Sequence, residues 1–265
     1  MGAEPRIILH SGLHKTGTTS VQAALRAHAG VLAPLYQVQL NAGPLRIVAE
    51  AARLWSAQPR PMAMRVYRRA LRTWVQGLDL APGQGLILSC EDLSGHMPGA
   101  RGVTSYEAAP RLAAELAHQL RARFPDHALC FVLGTRAPEG WLRSLHWQQA
   151  KHHHMVENAE AFAARLREAA DFTTLLAQIG AATQAPVIGA ALERHGARPL
   201  GPVEAIYDLA DLPADLRAAL PPVTAANRAP VADLAEAFVA LNRQDMPPEA
   251  RVAAKAALLA AAATQ

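Results

Sequence analysis

The stretch His10-Ser11-Gly12-Leu13-His14-Lys15-Thr16-Gly17-Thr18-Thr19-Ser20 gathers two glycines, one lysine and several hydroxyl side chains between an apolar run, Arg6 to His10, and an amphipathic pattern from Ser20 to Ala29. In that second pattern Val21, Ala24, Leu25 and Ala29 fall near one helical face. A strand, a glycine turn and a helix start in this order collect free backbone N–H groups and the positive end of a helix dipole around one point. A cluster of anionic oxygens belongs there, and a lysine adds a full positive charge. Gly12 and Gly17 keep the spacing of the two glycines in the phosphate loop G-x-x-x-x-G-K-[ST], but Thr18 stands where that loop has its lysine, and the lysine lies at position 15. A polar turn capping a helix through Thr19 or Ser20 is the plainer reading, and it requires neither the lysine nor this glycine spacing.

The run from Gly12 to Ser20, with K-T-G-T-T at its centre, resembles the first motif of bacterial sulfotransferases that act on carbohydrate or small-molecule hydroxyls with 3′-phosphoadenosine 5′-phosphosulfate as donor. The resemblance implies that Lys15, Thr16, Gly17, Thr18, Thr19 and Ser20 hold the 5′-phosphosulfate. In a parallel sheet all strands finish at one edge, where ligands bind, so residues ending the other strands become candidates. Arg136 ends the run Ala128 to Thr135, with Pro138 two positions on and Ser144 eight positions on. That pattern is similar to the second sulfotransferase motif and implies that Arg136 and Ser144 hold the 3′-phosphate, a guanidinium being suited to clamp it. A surface ion pair with Glu139 is the plainer role for Arg136, and Arg143 reads as an i,i+4 partner of Glu139. The resemblance covers the chain to about residue 150. A later glycine- and lysine-containing segment of the animal cytosolic enzymes has no counterpart here, which leaves adenine recognition unassigned.

Sulfuryl transfer needs a base for the acceptor proton. Glu91, at the end of the run Gly85 to Cys90, is the first candidate; His14 and His96 are its rivals. Lys15 would stand against the leaving phosphate oxygen, and lysine with backbone donors makes a metal unnecessary. The run His152 to His154 suggests no metal site, because consecutive helical side chains diverge and no Cys or acidic cluster accompanies them. A phosphate-loop kinase or nucleotide hydrolase is one alternative, with Glu91-Asp92 as a metal-binding strand end. A catalytically inactive nucleotide-binding or interaction protein of the same fold is the other.

Three apolar runs, Arg6 to His10, Gly85 to Cys90 and Ala128 to Thr135, predict buried strands, each followed by helical sequence, and Val203 to Tyr207 predicts a fourth. Strands alternating with helices predict an α/β three-layer sandwich, a mainly parallel sheet flanked by helices in the manner of phosphate-loop NTPases, as one domain over residues 1–265. Pro44 to Leu78 reads as an insertion of two helices broken at Pro59 and Pro61, placed between the first two strands and covering the sheet. Leu175 to Leu192 reads as two core helices. Pro221 to Pro230 reads as a connecting loop, followed by helices Val231 to Arg243 and Glu249 to Ala262.

The 265 residues are 51% hydrophobic and 18% charged, which excludes a disordered or disulfide-stapled chain. Lys and Arg number 26 against 22 Asp and Glu, a modest excess without a basic tail. Trp141, Leu145 and Trp147 read as packing residues, without the interleaved arginines of a nucleic-acid platform. Cys90 and Cys130 read as buried thiols in a reducing compartment. With no signal-peptide core, no sequon and no apolar stretch of membrane-spanning length, a cytoplasmic location is expected. The partner is expected to be a small-molecule or glycan acceptor.

Overall fold

In the computed structural model, which describes residues 4–222 and 234–263, five short strands form one sheet: β1 (Arg6–His10), β2 (Tyr36–Leu40), β3 (Gly85–Ser89), β4 (Ala128–Thr135) and β5 (Val187–Ala191). Their order is β2-β3-β1-β4-β5 and every pairing is parallel. Side chains alternate across the strands. Ile7, Leu9, Leu86, Leu88, Phe131 and Leu133 enter one apolar core, and Ile8, Ile87 and Val132 enter another on the opposite face. Burial on both faces explains why β1, β3 and β4 read as unbroken apolar runs.

The helices divide between these faces. α1 (Thr18–Leu32) covers the second face with Val21, Ala24 and Leu25. The first face is covered by α2 (Gly43–Ala57), α3 (Pro61–Gln76) and α4 (Ala109–Arg123), with Val48, Tyr67 and Leu116 among the buried anchors. α5 (Pro138–His152), α6 (Ala159–Leu166) and α7 (Phe172–Thr183) join them through Trp141, Phe162 and Leu175. Thus the crossover leaving β1 goes to one face and those leaving β3 and β4 go to the other. A crevice at the carboxyl ends of the strands beside β1 is the consequence, and ligands in α/β sheets occupy such crevices. Together the two helical layers and the sheet make the three-layer α/β sandwich, of phosphate-loop type, that the alternation of elements predicts.

The chain continues through α8 (Leu192–His195), α9 (Glu204–Leu209) and α10 (Ala214–Ala218), then α11 (Leu234–Arg243) and α12 (Pro248–Ala263). The last two pack on the end of α5 through Phe238 and Val239. There the Lys255 ammonium donates to the Ala150 carbonyl oxygen (2.6 Å) and Asn242 Nδ2 to that of Met155 (2.7 Å), closing the helix end with a cation favoured by the dipole.

Three sequence expectations are corrected. Val203 to Tyr207 is helical, a 3₁₀ turn (Gly201–Val203) running into α9, because Val203, Ile206 and Tyr207 bury against α1 at helical spacing. Buried Glu204 accepts from the Leu200 N–H (2.8 Å) at this start. Within Leu175 to Leu192 only the first half is helix; the second is β5, because Gln184 turns left-handed (φ 52°) and ends α7, and Pro186 with β-branched Val187 and Ile188 favours extended backbone. The helical insertion follows β2, an edge strand whose polar alternation Tyr-Gln-Val-Gln-Leu carries little apolar signal. As expected, the insertion breaks before Pro61 and covers the sheet.

Cys90 is buried just past β3, whereas Cys130 is only half-buried. From residue 223 on, the loop expected at 221–230 lies outside the described residues, as does the expected start of the helix at Val231. No helix among the described residues is long and apolar enough to cross a membrane.

Candidate active site

The loop between β1 and α1 has an unusual backbone. Gly12 (φ 36°), Lys15 (φ 67°) and Gly17 (φ 93°) all lie at positive φ. For lysine that region costs about 1–3 kcal/mol, and such strain concentrates at ligand-holding sites. Gly17 begins α1, accepting from the Ser20 N–H (3.0 Å) and the Val21 N–H (3.2 Å). The residue at the helix start is Gly17, which has no side chain to cap it, and the first turn has no acidic residue. Thr18 is buried, Thr19 exposed and Ser20 half-buried.

Neighbouring elements press the loop into this shape. Thr16 Oγ1 donates to the Leu13 carbonyl oxygen (2.6 Å) and lies so close to β4 that a Cβ on Gly134 would stand 2.5 Å from it. A Cβ on Gly12 would stand 2.8 Å from Thr18 Cγ2, and Ser94 Oγ donates to the Ser11 carbonyl oxygen at 2.8 Å. Below the loop, His10 pairs with Ser89 through Nδ1 and Oγ (2.8 Å), and burial lowers its pKa to about 4.

Two cations lie on the β4 side of the loop, Arg136 and the loop's own Lys15. Arg136 Nη1 lies 3.4 Å from the Lys15 carbonyl oxygen, and its guanidinium rests on Gly140, where a Cβ would be 3.3 Å from Nε. Lys15 Nζ donates to Gln148 Oε1 on α5 (3.1 Å). Burial pushes the Lys15 ammonium below its ordinary pKa, and the charges of Arg136 and Lys151 push it further. Among the described residues neither Lys15 nor Arg136 has a carboxylate partner. Ser144 is half-buried on α5, one turn before Gln148, without a hydrogen bond to the loop. Arg143 and Glu139 are both exposed and form no ion pair with each other.

From the β3 side the loop meets a second set of groups. Glu91 stands against Gly12, where a Cβ would lie 3.4 Å from its own, and accepts from Gln22 Nε2 on α1 (2.5 Å). His14 is engaged at both ring nitrogens, Nδ1 with the Tyr106 hydroxyl (3.0 Å) and Nε2 with Asp92 Oδ1 (3.3 Å). Its backbone N–H also donates to Tyr106 Oη (2.9 Å). The Asp92 carboxylate can only accept, so in the neutral ring the proton lies on Nε2 and Nδ1 accepts from the Tyr106 hydroxyl. Burial raises the Asp92 pKa, but hydrogen bonds from His14 and Asn41 and the charges of His14 and Arg53 outweigh it and hold the carboxyl below its usual range. His96 sits beyond Asp92, its backbone N–H donating to Ser56 Oγ (2.8 Å).

Thus Lys15, Thr16, Gly17, Thr18, Arg136 and Glu91 are brought to one strand edge, His14 is held in a half-buried network, and Ser144 is placed on the adjoining helix. Gln148, Tyr106, Gln22 and Lys151 are additions that the loop motif does not contain. For Gln148 a sequence signal existed, since it lies four positions after Ser144 on one helical face. The run His152 to His154 is exposed at the end of α5, and no group of three or more metal-ligating side chains occurs among the described residues. Compared with known protein families and with curated proteins, the chain matches no family model and no curated sequence.

Proposed function

We propose that this protein is a sulfotransferase that moves a sulfuryl group from 3′-phosphoadenosine 5′-phosphosulfate to an acceptor hydroxyl. One observation carries the reading: Arg136 reaches the backbone of Lys15 from 121 positions away, so the two motifs that resemble those of sulfotransferases meet at one point. Two cations without carboxylate partners among the described residues, beside a helix N-terminus that opens with Gly17, suit a nucleotide with phosphate groups at both ends of its ribose. Lys15 and the N–H groups of Thr16 to Thr19 would hold the 5′-phosphosulfate, with Ser20 at the same helix start. Arg136, with Ser144 on the next helix, would hold the 3′-phosphate.

The bound donor supplies an activated sulfur–oxygen–phosphorus anhydride. As the acceptor oxygen bonds to sulfur, the sulfur–oxygen bond to phosphate breaks and its electron pair stays on the phosphate oxygen. Lys15 stabilises that oxygen, and the loop keeps the lysine in place before reaction, so little reorganisation is needed. Glu91, held by Gln22 beside Gly12, takes the acceptor proton. His14 has both ring nitrogens occupied, which favours Glu91 as the base and gives His14 a positioning role.

The test is a calorimetric titration with 3′-phosphoadenosine 5′-phosphate, beside ATP with magnesium, on the wild-type chain and an Arg136→Ala variant. Tight binding of the bisphosphate, weak binding of ATP and loss of affinity in the variant are expected. Preference for ATP, or an Arg136→Ala variant that binds like wild type, overturns the reading in favour of phosphoryl transfer or simple nucleotide binding.

A further inference from the structure

A surface cavity of about 340 Å³ opens between α2 and the segment after β3, within the size range of small-molecule sites. Arg53, His96 and Arg101 line it, and Leu54 and Ala57 supply an apolar wall. Two side chains, Asp92 and His14, connect it to the loop. Arg53 Nη1 is 3.6 Å from Asp92 Oδ2, Asp92 Oδ1 is 3.3 Å from His14 Nε2, and Lys15 is the next residue. The cavity therefore lies on the β3 side of the loop, whereas Arg136 approaches from the β4 side, β1 separating the two strands. In-line transfer requires the attacking and leaving oxygens on opposite sides of the transferred group.

The charges of the cavity do not cancel. Arg101 is exposed and has no carboxylate partner among the described residues. Arg53 shares Asp92 with His14 and Asn41, and Glu50, the carboxylate in the lining, is engaged by Arg46 Nε at 3.1 Å. Burial lowers the His96 pKa, and the charges of Arg53, His14 and Arg101 lower it further against the opposing effect of Asp92, as a cationic surround requires.

Resting on the sulfotransferase reading, we infer that this cavity receives the acceptor and that the acceptor is itself an anion, a hydroxyl compound carrying a carboxylate or phosphate group held by Arg101 and Arg53. The apolar wall of Leu54 and Ala57 would take the carbon frame. The inference goes beyond the donor chemistry, since nothing about a phosphosulfate loop requires a charged acceptor.

The experiment is a calorimetric titration of the full chain with glucuronate, glucose 6-phosphate and glucose at low salt, repeated with Arg101→Ala and Arg101→Glu. Arg101 is an exposed loop residue, so both variants should fold. At least one anionic sugar should bind about ten-fold or more tighter than glucose, the preference should vanish in Arg101→Ala, and it should reverse in Arg101→Glu. The two sugars distinguish a carboxylate from a phosphate as the recognised group. Equal binding of all three sugars, no binding of any, or a preference that survives Arg101→Ala overturns the inference. A parallel titration with 3′-phosphoadenosine 5′-phosphate separates the two readings: if the bisphosphate fails to bind but the Arg101-dependent preference is present, the anion cavity stands and the sulfotransferase reading falls.

Discussion

The indole Nε1–H of Trp141 donates to the carbonyl oxygen of His14 across 2.8 Å, fastening the loop after β1 to the helix after β4. The ring is fully buried, edge-on to Phe172 at 5.1 Å between centroids, so the donor cannot swing away. Trp141→Phe keeps most of the packing and deletes the bond. Urea denaturation should show a loss of about 1–3 kcal/mol, the cost of leaving a buried carbonyl without its donor together with the smaller ring. Nucleotide affinity should fall as well, because the strained backbone of Lys15 loses an adjacent anchor. A variant unchanged in both measurements would show that α5 does not hold the loop.

Arg136 should be replaceable by neither alanine nor lysine. Alanine removes the charge and the fork together; lysine keeps the charge but cannot donate in parallel to two phosphate oxygens. Affinity for 3′-phosphoadenosine 5′-phosphate should drop about ten-fold or more in Arg136→Ala, as for loss of a charge-assisted hydrogen bond, with Arg136→Lys in between. Affinity for adenosine 5′-phosphosulfate, which lacks the 3′-phosphate, should change little in either variant.

Lys15 opposes the stability of the unliganded protein. Burial, Arg136 and Lys151 lower its folded-state pKa below the unfolded value of 10.5. The folded chain therefore binds this proton less readily than the unfolded chain, and the cost is fully present below the folded pKa. It disappears as pH rises through that value toward 10.5. Lys15→Met should raise the melting temperature of the unliganded protein at neutral pH and flatten the alkaline rise in its stability. The same variant should cut sulfuryl transfer, followed with labelled donor and a panel of hydroxyl acceptors, by far more than about ten-fold. A stabilised variant with intact transfer would separate the lysine from the chemistry.

His10 sets an acid limit on the centre of the sheet. Its folded-state pKa of about 4 lies below the ordinary 6.5, so the buried neutral ring is favoured and the unfolded state takes up a proton first. Stability contributed by this group is present above pH 6.5 and is lost progressively as pH falls to about 4. Denaturation midpoints measured across that window should slope less in a His10→Gln variant. Parallel slopes would locate the acid sensitivity elsewhere.

Gly134 is required by the approach of Thr16. A methyl group there meets Thr16 Oγ1 at 2.5 Å and its Cβ at 3.0 Å, and the Thr16 backbone oxygen at 3.1 Å leaves no room to retreat. Gly134→Ala should cost about 1–3 kcal/mol by overpacking and should weaken nucleotide binding with it. Gly30→Ala is the control, because nothing lies within 4 Å of a Cβ at that site.

The loop from Gly12 to Ser20 was legible in the sequence because its chemistry is contiguous: the glycines that permit positive φ, the lysine and the helix start lie within nine residues. Arg136 was legible because a buried strand announces its own end, and β1, β3 and β4 are buried on both faces and so apolar throughout. Local pattern was insufficient where one apolar run suits either period. Val187 to Ala191 became a strand because β4 offered a free edge, and Val203 to Tyr207 became helix because α1 offered an apolar face. The partners of the loop were beyond sequence reasoning for a related reason. Tyr106, Trp141, Gln148 and Asp92 meet His14 and Lys15 only after the crossovers to opposite faces of the sheet bring the strand ends together. Residue type and spacing therefore determined the loop's glycines, lysine and helix start, whereas the choice of groups that stiffen it, depress its lysine and open a cationic cavity near it belongs to tertiary packing, because those contacts join residues far apart in the chain, as Asp92 is from His14 and Gln148 from Lys15.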